Sequence, residues 1–509
     1  MGLILAIDQG TTGTTAVVVG DDGAVRGTGY APVVLSYPRP GWVEQDAEAI
    51  WDSVAAPVQS ALDGARAKGP DLAGVGITNQ RETVVLWERA TGRPVLPAIV
   101  WQCRRTTDIC RRLRAEGHEP RIAEKTGLVL DPYFSATKIQ WALEAHPELR
   151  ARSARGEIRA GTVDSWLIWK LSGGSAHVTD ASNASRTMLL DIGKAEWDDQ
   201  LLATFGVPHE ILPQVVASSG VIAETADTDV LPAGIPIAGI AGDQQAALFG
   251  QGCFSRGLAK NTYGTGCFLL LNAGQSRPPG VPGILTTIAW LVRDQPTYAY
   301  EGSVFIAGAL LQWLRDEMGI ISDAAESDAL ARSVPDTAGT YIVPAFVGLG
   351  APYWEPAARG TIVGLTRGTS RAHIARAALE AIAYEVRDLV EAMTAAPEMR
   401  LAELRADGGA AANDFLLQFQ ADITDVPVQR AATLEATSLG AAYLAGLGVG
   451  VWQSLEALSG LSRPARRFEP AMDAAQRGGL VAGWRRAVRT ALAWAQAEPA
   501  RGEAMSSPP

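Results

Sequence analysis

Short apolar runs alternate along this chain with helix-length apolar stretches, and each short run stops at a small or polar residue. Leu3–Ile7 and Ala16–Val19 read as two strands around a polar loop, followed by the hairpin-type turn Asp21-Asp22-Gly23. Residues 72–79 read as a buried strand with a polar end, and Val84–Trp87 as the strand after a turn. Residues 158–171 read as a Gly-Thr-Val-Asp turn entering an apolar, tryptophan-rich helix. Ile235–Ile240 reads as a strand, and Gly242-Asp243-Gln244-Gln245 opens a helix that ends near Gly250. The alternation predicts an α/β chain.

The opening theme then returns. Leu258–Tyr263, the loop Gly264-Thr265-Gly266 and Cys267–Leu271 repeat strand, Gly/Thr loop, strand. Asn261 stands in this second copy, which lacks the acid at the loop start. An internal duplication is expected, with its boundary near 250–258. A third candidate phosphate contact is a strand–glycine–helix unit: Ala402–Ala406, Asp407-Gly408-Gly409-Ala410, then a helix over about Asn413–Ile423. Helical segments such as Leu480–Gln496 follow, and the polar, proline-bearing end is expected to be disordered. The expected division is 1–252, 253–450, a helical extension 451–497 and a tail 498–509.

The loop from Asp8 to Thr15 combines one acid, two glycines and several hydroxyls. Small residues let backbone N–H groups approach an anion, and hydroxyls add donors. A carboxylate repels phosphate unless a divalent metal lies between them, so the loop reads as a metal–phosphate site. A plain Gly/Thr-rich hairpin turn is the competing reading. No Walker loop and no helix-opening GxGxxG occurs. Paired hairpin loops therefore point to the duplicated actin-like ATPase architecture.

Composition narrows the picture. The chain has 509 residues, enough for two or three domains, and 47% hydrophobic with 19% charged residues fits a globular protein. A net charge of −11 opposes non-specific binding to nucleic acid or anionic membrane. Cys103, Cys110, Cys253 and Cys267 form no CxxC pair, and the five histidines show no metal-ligand spacing. Cys103 and Cys110 could in principle pair, but free thiols are the expectation. No run is long and apolar enough for a membrane span, and no signal peptide is evident, so a cytoplasmic address is expected.

Several motifs together resemble glycerol kinases, within the carbohydrate kinases that share the actin-like fold. They are Asp8-Gln9-Gly10-Thr11-Thr12, Gly76–Thr83, Ala98–Arg105, Asp131–Ser135, Ala241–Gly250, Lys260–Phe268 and Asp407-Gly408-Gly409. The resemblance runs in order from about residue 3 to 495. It implies two actin-like (ribonuclease H-like) α/β domains with an active cleft between them, and the reaction of glycerol with ATP and magnesium.

The resemblance assigns Asp243 as general base, against the bland reading of a helix N-cap. It gives glycerol to Arg81, Glu82, Tyr133 and Gln244, with Trp101 and Phe268 as apolar walls, against a surface ion pair and ordinary core aromatics. Asp8 and Asp243 would position Mg2+. Thr11, Thr12, Gly13 and Thr265 would hold the phosphates, and Gly308, Gln312, Gly409 and Asn413 the nucleotide. A helix-packing role for Gly308 and an N-cap role for Asn413 compete with this. A homo-oligomer, dimer or tetramer, is expected, with no nucleic-acid partner. The alternatives are a kinase for another small polyol or ketose, and a catalytically weak nucleotide-dependent regulatory protein.

Two departures from the resembling family stand out. Thr15 occupies a position where the family usually has Arg, which puts phosphate handling in doubt. The segment Asp227–Gly234 carries two acids and no cation, so inhibition by fructose 1,6-bisphosphate is not expected.

Overall fold

The computed structural model describes residues 2–396, 398–433, 435–461 and 464–497. The tail expected to be disordered, 498–509, lies outside the described residues.

Thirteen strands form one sheet. In chain order they are β1 (Leu3–Gln9), β2 (Gly13–Val19), β3 (Val25–Pro32), β4 (Leu72–Asn79), β5 (Ser219–Glu224), β6 (Pro236–Gly242), β7 (Leu258–Tyr263), β8 (Cys267–Gly274), β9 (Leu285–Val292), β10 (Gln295–Val304), β11 (Glu403–Asp407), β12 (Val428–Ala431) and β13 (Pro464–Phe468). In the first half β1 pairs antiparallel with β2 and parallel with β4, β2 pairs with β3, and β4 runs parallel to β6. In the second half β7 pairs antiparallel with β8 and parallel with β11, β8 pairs with β10, and β11 runs parallel to β12. The two halves thus repeat one strand order, and they join where Ser219 of β5 pairs with Val292 of β9.

The sequence explains the central strands. Ile4–Ile7 and Ala16–Val19 are fully buried, as expected for strands covered on both faces. The edge strand β3 alternates exposed and half-buried residues, and α1 (Ala47–Ala65) crosses it. Gly27 and Gly29 permit that crossing, since a Cβ there would lie 2.0 Å from the Ala61 carbonyl oxygen and 2.2 Å from that of Pro57.

Two further sequence expectations change. Gly161 and Thr162 end a strand, Ile158–Thr162, rather than forming a turn. They pair with Val85 and Val84, and this cross-strand pairing overrides the local turn preference. The C-terminal helix begins at Ala474, earlier than Leu480, because the Asp473 carboxylate accepts from the N–H groups of Ala475 and Gln476 at 2.9 Å. All four cysteines are buried and free.

Four more helices matter for the site: α2 (Asp243–Gly250), α3 (Gly308–Asp316), α4 (Asp414–Thr424) and α5 (Ala436–Gly448). Helix α5 belongs to the second half in sequence, yet it packs on β1, β4 and β6 of the first half and on α2. Glycines allow the approach. A Cβ on Gly440 would lie 1.8 Å from the Ala246 carbonyl oxygen, and one on Gly76 would lie 2.1 Å from that of Ala441. Both obstacles are backbone, so Gly440→Ala forces the two helices apart. We expect a loss of about 3 kcal/mol, the upper end for overpacking, read as a lower thermal unfolding midpoint. An unchanged midpoint would contradict this packing account.

Candidate active site

Strand direction brings the site together. Asp8 pairs with Thr78, and Gly242 pairs with Asn79, so β1, β4 and β6 all end at one edge. Ligands of open α/β sheets bind at such carboxyl ends. The first candidate phosphate loop leaves β1, Arg81 and Glu82 follow β4, and Asp243 follows β6. Asp243 is the first residue of α2 rather than its N-cap, which is Gly242. Asp243 Oδ1 accepts from the Gln244 N–H at 2.7 Å, and its side chain is 30% exposed.

Both candidate phosphate loops close through a backbone bond between glycines. The Gly10 N–H donates to the Gly13 carbonyl at 2.9 Å, and the Gly264 N–H donates to that of Gly266 at 2.9 Å. A Cβ on Gly13 would lie 2.6 Å from the Ala31 oxygen, and one on Gly266 would lie 2.2 Å from that of Val304. Thr12 and Thr265 are exposed at the loop tips. Trp101 ties the first loop to the acceptor side, its indole N–H donating to the Thr11 hydroxyl at 2.9 Å.

Arg81 and Glu82 are not a surface pair. Both are buried, at 2% and 1% exposure, in a cluster of five charges. Arg81 donates from Nη1 and Nη2 to Glu301 at 2.7 and 2.8 Å, and its Nε lies 3.1 Å from Asp243 Oδ1. Arg186 donates from Nε to Glu82 Oε1 at 2.7 Å and from Nη2 to Glu301 Oε1 at 3.2 Å. Burial alone would raise the Glu301 carboxyl, but the Arg186 and Arg81 guanidiniums hold it down at about 2. Burial pushes the Glu82 carboxyl up in spite of the same two guanidiniums. Glu82 also sits at φ +62°, a costly conformation for a residue with a side chain, and such strain clusters at functional sites.

Tyr133 joins this group. Its ring meets that of Trp101 edge-on at 5.5 Å, and the Arg186 guanidinium lies 5.8 Å from its centre. Lys138, fully buried beneath, donates to the carbonyls of Pro132, Tyr133 and Phe134 and fixes this loop. Gln244 follows Asp243 and is half-buried. Phe268 is also half-buried, but no ring contact joins it to Trp101 or Tyr133 among the described residues.

Asp8 lies in a different setting. Burial, then the charges of Asp243 and Glu435, push its carboxyl up to about 8. No ion pair reaches it among the described residues, and the cross-strand neighbour is Thr15. These carboxylates fit a hard divalent cation, which keeps most of its waters and needs only one or two protein oxygens. No cluster of three or more His, Cys, Asp or Glu side chains is placed to hold a metal directly among the described residues.

The nucleotide-side candidates are more spread. Gly308 opens α3 against the second loop, its N–H donating to the Gly264 carbonyl at 2.9 Å, and a Cβ there would lie 2.6 Å from that oxygen. Close packing therefore requires this glycine. Gln312 is exposed one turn further along α3. Gly409 faces open space, while Gly408 takes φ +88° against the Tyr263 backbone. Asn413 caps α4, its Oδ1 accepting from the Leu416 N–H at 2.9 Å and its Nδ2 donating to Ser327 at 3.1 Å.

Sequence models of the N-terminal and C-terminal domains of the FGGY family of carbohydrate kinases match residues 3–250 and 259–449. The chain belongs to this family. Among its relatives, a glycerol kinase of Symbiobacterium thermophilum is 55% identical over 97% of this chain and 99% of that protein. A glycerol kinase of Aromatoleum aromaticum is 56% identical over 98% of this chain and 100% of that protein. The crystal structure of Plasmodium falciparum glycerol kinase with ADP superposes with a TM-score of 0.91 at 35% identity, covering 97% of this chain and 98% of that one. No helix of this FGGY kinase is long and apolar enough to cross a membrane among the described residues.

The sequence reading missed Arg186, Glu301 and Gln245, whose side chain accepts from Arg81 Nη1 at 3.2 Å. One signal was present. Glu301 is the acid in the otherwise uncharged strand Gln295–Val304, and a buried acid in a strand needs a cation.

Proposed function

We propose that this FGGY kinase transfers the γ-phosphoryl group of ATP to glycerol, giving sn-glycerol 3-phosphate and ADP. The observation that carries the reading is the buried Arg81–Glu82 pair beside Asp243. A small polyol needs a fixed donor and a fixed acceptor, and these residues offer both in a water-poor setting. The names of the similar proteins and the ADP named with one of them support the same reaction.

In this reading Asp243 takes the proton from the attacking hydroxyl. An alcohol is a poor nucleophile at neutral pH, and the rest of the transfer is positioning and charge stabilisation. Arg81 and Glu82 hold the other hydroxyls with Tyr133 and Gln244, and Trp101 and Phe268 exclude water along the carbon chain. The phosphates lie between the loops at Thr11–Gly13 and Thr265, with Gly308, Gln312, Gly409 and Asn413 on the nucleotide side. Asp8 and Asp243 would hold Mg2+ through water, and the ion would supply charge neutralisation at the phosphates. The chain divides at 252/253 in this reading, and a homo-oligomer is proposed.

The test is ADP release with Mg-ATP, with and without glycerol. Glycerol-stimulated release supports the reading; release stimulated only by another polyol or ketose replaces the substrate. Thr15 gives a sharper prediction. A guanidinium there would stand beside Asp8 at the edge of the phosphate loop. Thr15→Arg is expected to raise turnover or tighten Mg-ATP binding by up to about tenfold. Steady-state kinetics that are unchanged or worse would refute that account of the position.

A further inference from the structure

We propose that Lys260 is a positioning residue for the acceptor: it fixes the side-chain amide of Gln244 with the NH2 group turned to the polyol. The inference rests on the glycerol kinase reading above and deepens it.

Lys260 lies on β7 of the second half and is fully buried. Its ammonium donates to Gln244 Oε1, in the first half, and to the Thr262 hydroxyl at 3.0 Å. Burial lowers its pKa from the ordinary lysine value, the carboxylates of Asp407, Asp243 and Glu301 favour the charged form, and Arg81 opposes it. An ammonium only donates, so the atom it meets must be the amide oxygen. The flipped amide would set two donors face to face. Gln244 can therefore offer the acceptor only its Nε2 hydrogens, and no partner takes these among the described residues.

That amide adds a fixed donor to a site in which Arg186 Nη1 is also without a partner among the described residues. Glu82 and Asp243 only accept when ionised, and Arg81 spends donors on Glu301, Asp243 and Gln245. A free amide would present oxygen or nitrogen by turns, and half of the orientations would face a hydroxyl lone pair with another lone pair. The Lys260–Gln244 bond also crosses between the halves, so the amide is set only when they are together.

The test is a double-mutant cycle of Lys260→Met and Gln244→Ala, read as KM for glycerol and kcat separately. Lys260→Met is expected to raise the glycerol KM about tenfold, with kcat and the ATP KM changed less than about threefold. In the Gln244→Ala background the same substitution should do almost nothing to the glycerol KM. Lys260→Arg, which keeps the donors, should stay near wild type. A full effect of Lys260→Met in the Gln244→Ala background, or an equal fall of kcat at saturating glycerol, overturns the proposal. If Lys260→Met does not fold, Lys260→Arg decides, because a lost KM with an intact thermal midpoint also overturns it. A wild-type enzyme without glycerol-stimulated turnover fails the substrate reading instead, and the cycle is then read with the polyol that it does phosphorylate.

Discussion

Asp243→Asn is expected to cut glycerol-dependent ADP release by roughly 10²–10⁴-fold, with a much smaller loss of Mg-ATP binding because Asp8 remains. Asparagine preserves shape and can still face Arg81, but it cannot accept the hydroxyl proton. The Asp243 carboxylate is committed through one oxygen only. Oδ1 accepts from the Gln244 N–H at 2.7 Å and lies 3.1 Å from Arg81 Nε, which leaves Oδ2 for the acceptor. Its side chain is 30% exposed, so a hydroxyl can reach it. Single-turnover kinetics separate this loss of chemistry from a loss of binding. A variant with near-normal turnover at saturating substrates would remove Asp243 as the base.

Glu301→Gln is the second large effect. Glu301 takes both terminal nitrogens of Arg81 and one of Arg186, with no exposure to water. Removing its charge leaves two buried guanidiniums with Glu82 as the only fully buried counter-charge among these partners. Breaking a buried pair in this way costs about 3–5 kcal/mol. The glycerol KM should rise as well, because Arg81 loses the partner that aims it. The pH dependence has a definite sign. Glu301 in the fold titrates at about 2, below the ordinary 4.5 of its side chain. Its contribution is therefore present above about 4.5 and lost as pH falls toward 2. Thermal midpoints of wild type and Glu301→Gln should converge over that acid window. Parallel midpoints across it would contradict the pairing.

The sequence made some parts of this molecule legible and hid others, for a common physical reason. Leu72–Asn79, Leu258–Tyr263 and the helix ending at Gly250 could be read from it because their signals are local: apolar runs, polar stops and a terminal glycine. Gly161 and Thr162 were misread because their strand character comes from pairing with Val85 and Val84. The acceptor pair was visible as a motif, but its setting was not. Arg186 and Glu301 lie more than a hundred residues from Glu82 and Arg81, and only folding brings them together. Lys260 stood inside a recognised motif, yet its bond to Gln244 depends on how two halves meet. Phe268 was named by resemblance, and it makes no ring contact with Trp101 or Tyr133 among the described residues.

The placement of α5 has a consequence for how this chain could be divided. Leu439, Ala441, Ala442 and Leu444 on that helix share one apolar core with Ile4, Ala6, Val17, Ala238 and Phe249. A fragment stopped at the end of the first half would be synthesised with one side of its sheet bare, and a fragment of the second half would carry a greasy helix with no host. The two repeats look like separable modules on paper, but the chain is laced. A gene cut between them yields two sticky pieces, and any rearrangement that moves one half must carry residues 436–448 in trans or lose them both.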